Sequence, residues 1–268
     1  MNSKTNKYIG VYTAKKKDGT IYYRSSFTYK NKHISLGSFL SPDDASRAYT
    51  EAVRLISDHS VFIYDFHKKS PLSFEKWIVI LNFRDNNIYL STPIYIRKKY
   101  FSYYLSLHQE LKFSIDDLFY YSSHKIMQRG GHLFVADYGM QVSIMSRYGI
   151  KNYAVYGKDY LLLNNDPLDF RYENIEIINC YNGVKMIRRK NKTQFQSKIH
   201  IHGDFIIGYY EDSLYAAIAY NKAVDILIQN GCEKCFKQNY TEGLSPSVYA
   251  DIYSKIVIPD KIINYRAE

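Results

Sequence analysis

Cysteine, long apolar runs and acidic residues are all scarce in this chain, and each scarcity excludes something. Three cysteines, Cys180, Cys232 and Cys235, stand among 268 residues. That is too few for the disulfide framework of a small secreted domain and fits a reducing compartment. Cys232-Glu-Lys-Cys235 is a lone CxxC pair, short of the ligand set of a structural zinc site, so no metal and no cofactor is expected. No apolar run approaches the roughly 20 residues that a bilayer-spanning helix needs. The opening MNSKTNKYIG lacks the apolar core of a secretory leader. A soluble protein with no membrane partner is expected, cytoplasmic and nucleoid-associated, or nuclear in a eukaryotic host. No glycine-rich phosphate loop and no Ser/His/Asp arrangement stands out.

What is present is apolar and basic. Hydrophobic residues make up 46% of the chain and aromatics 16%, ample material for packed cores and far from a disordered composition. Lys and Arg number 36 against 26 Asp and Glu, a net charge of +10. Such an excess favours a polyanionic partner. The basic residues cluster on strand-like segments rather than amphipathic helices, which places nucleic acid ahead of a membrane surface.

The chain contains an internal repeat. Ala45, Ala48, Tyr49, Ala52 and Val53 return at an offset of 171 as Ala216, Ala219, Tyr220, Ala223 and Val224. Leu36-Gly37 returns at the same offset as Ile207-Gly208, and Gly10-Val11 returns at 173 as Gly183-Val184. Each copy reads as three short strands and a helix. In IYYRSSFTYK, Tyr23, Ser25, Phe27 and Tyr29 alternate with Arg24, Ser26, Thr28 and Lys30, the period of a half-buried strand. Asp18-Gly19 is a hairpin signal. Ser41 followed by Pro42, Asp43 and Asp44 is a helix start.

The outward sheet faces are the candidate functional surfaces. Residues 183–202 hold six Lys/Arg and no acid, and residues 1–40 hold eight Lys/Arg against Asp18. The second copy is expected to present Lys185, Arg189, Gln194, Gln196, Lys198 and His200, with Arg188, Lys190 and Lys192 around its hairpin. The first is expected to present Tyr12, Arg24, Ser26 and Thr28, with Lys15 and Lys16 at its hairpin. Cations suit phosphate contacts, while Gln and Arg can read base edges in a major groove wide enough for a β-ribbon.

Gly10-Val11, Tyr23, Leu36-Gly37-Ser38-Phe39 and the Ala45–Ala52 helix, with Gly183-Val184, Phe195, Ile207-Gly208-Tyr209-Tyr210 and Ala216–Ala223, resemble a known pattern. It is that of the Apetala-two/ethylene-response-factor (ERF) DNA-binding domain of plant regulators and of bacterial and phage proteins. The resemblance implies binding to the major groove through the three-stranded sheet. It maps the base-facing positions to Tyr12, Arg24, Ser26, Thr28, His33 and Ser35, and to Lys185, Ile187, Gln196, Lys198, His200 and Ile206.

Between the copies, IDDLFYYSSHKI, GGHLFVADYG and NNDPLDFRYENIEIIN resemble HNH endonucleases of the homing type. The register is set by Asp169, Arg171, Asn174 and Ile175. It places the metal-binding Asp on Leu161 and the general-base His on Leu162, with Asn182 near a late ligand position. Leucine neither accepts a proton nor binds a metal. The resemblance therefore implies an HNH-derived scaffold without catalysis, in which Asp169, Arg171, Asn174 and Asn182 are remnants.

The expected fold is α+β. Its parts are a DNA-binding module over 1–58, a linker and helix over 59–84, a degenerate HNH-like domain over 85–180, a second module over 181–230 and a tail with a short helix over 231–268. The expected function is sequence-specific double-stranded DNA binding without cleavage, as a transcription regulator or DNA-occluding factor. The competing expectation is an active HNH-type homing or mobile-element endonuclease with a displaced catalytic residue.

Overall fold

The computed structural model describes residues 8–151, 154–189 and 192–266. The fold is α+β, built from small sheets and a few helices. It divides into two compact units, Met1–Val142 with Pro167–Tyr172, and Ser143–Asp166 with Glu173–Glu268.

In the first unit, β1 (Val11–Lys15), β2 (Ile21–Tyr29) and β3 (Lys32–Phe39) form an antiparallel sheet in sequence order. The Asp18 carboxylate closes the first hairpin by accepting from the Thr20 amide at 2.9 Å. Helix α1 (Pro42–Ser57) starts at Ser41, whose Oγ accepts from the Asp44 amide at 3.1 Å. Its Ala45, Ala48, Ala52 and Leu55 are fully buried, one stripe facing the sheet.

The apolar core does not stop at residue 58. Helix α2 (Phe74–Asn86) buries Trp77 through Arg84, and it shares one hydrophobic cluster with Phe27, Ile34, Leu36 and α1. Segment 59–84 thus contributes to the first core both through its expected helix and through Val61, Ile63 and Leu72 ahead of it. Arg84 shows how tightly the two helices are joined. Its guanidinium is buried and donates to the carbonyls of Leu55 at 2.8 Å, Asp58 at 2.9 Å and Val61 at 3.0 Å. The Leu55 and Asp58 carbonyls lie at the C-terminus of α1, where a cation is favoured, and Val61 lies in the segment that follows.

The rest of the unit comprises β4 (Ile94–Ile96), β5 (Tyr100–Ser106), β6 (Gln109–Ser114), α3 (Leu118–Ser123), β7 (Ile126–Arg129), β8 (His132–Asp137) and β9 (Met140–Ser143). Strands β4, β5 and β6 form a sheet, and β7, β8 and β9 form another. Tyr103 is fully buried, accepts from the Ile126 amide at 2.9 Å, and has its phenol pushed up to about 12 by burial.

The second unit contains β10 (Tyr160–Leu162). It pairs antiparallel with a strand that follows the two-residue β11 (Asp169–Phe170), which belongs to the first unit and lies parallel to β6 there. That partner is β12 (Ile175–Ile177). The second repeat follows as β13 (Val184–Arg189), β14 (Lys192–His200), β15 (Asp204–Tyr210) and α4 (Ser213–Gln229). Here too the core crosses an expected boundary, because α5 (Pro246–Lys255) and α6 (Asp260–Ile263) pack onto α4 through Ile252, Ile256, Ile258 and Ile262.

The two repeats coincide in detail. Each sheet carries one register shift, after Ser25 in β2 and after Ser197 in β14. In each, a serine hydroxyl (Ser25, Ser197) is fully buried without a hydrogen-bond partner, opposite Gly37 or Gly208. Gly10 and Gly183 have φ of +71° and +69°, and a Cβ on either would stand 2.1 Å from Cδ2 of Tyr49 or Tyr220. Glycine is what lets the strand entry lie against the helix tyrosine.

Candidate nucleic-acid interface

Strand pairing assembles the outward faces residue by residue. In the first sheet, Tyr12 lies opposite Arg24, Arg24 opposite Ser38, Ser26 opposite Ser35 and Thr28 opposite His33. All six positions that the resemblance assigns there therefore share one register face. Tyr12 is 58% exposed, whereas Ser26 is 8% exposed and offers a ligand little. Arg24 is exposed and lies along Tyr22, donating to its hydroxyl at 2.8 Å with the guanidinium carbon 5.5 Å from the ring centroid. Tyr22 belongs to this face and was not among the expected residues.

The first face is less basic than the count of lysines implies. Among the described residues, its register positions hold one Lys or Arg, namely Arg24. Lys15 has the parity of Val11, at the hairpin end of β1, and Lys16 lies in the turn. Lys30 donates to the Asn87 side chain, and Lys32 sits 4.9 Å from the Tyr89 ring centroid. Both are drawn to the far end of the sheet, against the segment after α2.

The second face is denser in charge. Lys185 lies opposite Gln196 and Gln196 opposite Tyr209. Ile187 lies opposite Gln194, Lys198 opposite Ile206 and His200 opposite Asp204. Arg189 pairs with Lys192 at the hairpin end; the Arg189 side chain and Lys190 lie outside the described residues. Arg188 has the parity of Val184, so it projects from the other side of β13. The Gln196 amide donates to the Tyr209 hydroxyl at 3.1 Å, which holds a donor and acceptor pair at the middle of the face.

Asp204 alters this face and was not expected. Its carboxylate accepts from Lys198 Nζ at 2.6 Å and lies 2.8 Å from His200 Nδ1. The hydrogen bonds from Lys198 and His200 hold its pKa below the ordinary carboxylate value. An exposed ion pair of this sort contributes little to stability, so Lys198 can exchange Asp204 for a phosphate at small cost.

The positions that the HNH likeness assigns make structural contacts. Asp169 is fully buried and takes a two-pronged contact from Arg171, with Nε at 2.9 Å and Nη2 at 2.6 Å. Both belong to the first compact unit, while Asn174 and Asn182 belong to the second. Asn174 accepts from the Asn164 amide at 2.8 Å, which pins the turn after β10. The backbone of Asn182 exchanges hydrogen bonds with the Asn239 side chain, at 2.6 and 3.0 Å. Leu161 lies on β10, and Leu162 is 5% exposed. Among the described residues, no group of three or more His, Cys, Asp or Glu is placed to hold a metal ion. No helix there is long and apolar enough to cross a membrane.

No family model, no curated protein and no solved structure matches the chain.

Proposed function

We propose that the chain is a sequence-specific double-stranded DNA-binding protein that uses two sheet faces and does not cleave. The observation that carries this reading is the duplication: two sheets with the same strand order, the same register shift and the same glycine–tyrosine contact each leave one face open. The second of these faces sets Lys185, Gln194, Gln196, Lys198 and His200 side by side. Cations there would meet phosphates, and Gln196, Gln194 and Arg24 would meet base edges. The likeness to Apetala-two/ERF domains points the same way, and with it a role in transcription regulation or in occluding DNA.

Cleavage is left out because Leu161 and Leu162 stand where the HNH likeness needs a metal-binding Asp and a general base, and Leu162 is buried. Two assays test the reading. Fluorescence anisotropy should show duplex binding that Gln196→Ala and Lys198→Ala weaken. Supercoiled plasmid with Mg²⁺ or Mn²⁺ should remain intact. Metal-dependent nicking abolished by Asn174→Ala would instead establish an HNH-type endonuclease.

A further inference from the structure

Beside the edge strand β13 a cleft of about 400 Å³ opens between the sheet and the turn at 155–159, lined by Lys158, Lys185 and Lys198 among others. A second cleft of the same size adjoins it, again lined by Lys158 and Lys185 and reaching Arg188.

The turn that carries Lys158 is fixed by a buried polar network. Asp159 is 4% exposed and accepts from Lys151 Nζ at 2.8 Å, Asn179 Nδ2 at 3.0 Å and the Val155 amide at 2.8 Å. Lys151 and Asn179 in turn donate to the Val184 carbonyl, at 2.6 and 2.8 Å, at the start of β13. Lys151 spends its remaining proton on the Tyr181 carbonyl at 3.1 Å, so its charge serves the framework and not a ligand. Lys158 and Lys185 are exposed and have no ion-pair partner among the described residues. A buried anchor thus fixes the backbone of the turn that carries Lys158 beside β13, and two lysines with no ion-pair partner among the described residues line the concave site. A backbone fixed in this way loses less freedom when an anion arrives.

We propose that this cleft grips a phosphate of the nucleic-acid backbone and that Lys158, from outside the repeat, positions the second sheet on its duplex. The inference rests on the DNA-binding reading above. Its test is equilibrium binding of the full chain to duplex between 50 and 200 mM salt, comparing wild type, Lys158→Ala and Lys261→Ala. The last removes the same charge from an exposed position on α6.

Each phosphate contact contributes about 0.9 to the slope of log affinity on log salt. The affinity lost by wild type across this range should therefore exceed that lost by Lys158→Ala by about threefold. Lys261→Ala should keep the wild-type slope, and all three proteins should melt alike. If Lys158→Ala and Lys261→Ala share the wild-type slope while Gln196→Ala weakens binding, the phosphate cleft is wrong and the DNA-binding face stands. If wild type binds no duplex, both are wrong.

Discussion

Gly183 joins two demands at one residue, a left-handed backbone and contact with the Tyr220 ring. Gly183→Ala should cost roughly 1–3 kcal/mol for the backbone and a similar amount for overpacking against the ring and the Lys198 carbonyl. Urea denaturation measures this, and a loss below about 1 kcal/mol would contradict the contact. The recurrence of Gly10 and Tyr49 as Gly183 and Tyr220 was legible in the sequence, but their contact was not. Nor was the place of Asp204. The acid-free stretch ends at 202, and only the register brings Asp204 opposite His200. Its carboxylate is held ionised to lower pH than a free aspartate by Lys198 and His200, and its negative charge, present at neutral pH in any case, is expected to oppose an incoming phosphate. Asp204→Asn should tighten duplex binding and steepen its salt dependence by about one contact, or roughly threefold between 50 and 200 mM. Unchanged or weaker binding would mean that Lys198 does not meet DNA.

Individual elements were readable where their pattern was local. Ser41 caps α1 and the alanine stripe faces the sheet, as the spacing required. Apolar alternation also told the outward face of β2 from its inward one, apart from Ser26. The neighbours of an element were harder to read. Helix α2 is apolar on almost every side, a sign of complete burial, yet nothing in the sequence says that α1 covers it. The isoleucines at 252, 256, 258 and 262 belong equally to a core that their own segment does not announce. Ile262→Ala should destabilise the protein by about 2–5 kcal/mol, as for a fully buried side chain. Chemical denaturation followed by tyrosine fluorescence reads this, and a loss under about 1 kcal/mol would detach α6 from that core.

At the scale of the whole molecule, the repeat was legible because helix, turn and strands recur together. The division into compact units was not. β11 returns to pair in parallel with β6, placing Asp169 opposite Lys112, and a parallel pairing between distant segments leaves no local signal. The two leucines at the catalytic positions of the HNH likeness were legible in the sequence, whereas the contacts that Asp169, Arg171 and Asn174 make were not. Two open faces on one chain should raise the effective concentration of the second binding event once the first has formed. Their outward residues differ, with Tyr12, Arg24 and Thr28 at the positions of Lys185, Gln196 and His200. Each face should therefore prefer its own half-site.

The most direct measurement is selection of bound sequences from a random duplex pool by the full chain, followed by binding to the selected site at increasing salt. The account predicts a bipartite site with two unlike halves. It also predicts an affinity that falls on the order of a thousandfold between 50 and 200 mM salt for about six phosphate contacts. A pool that shows no enrichment, with binding that ignores salt, would contradict it.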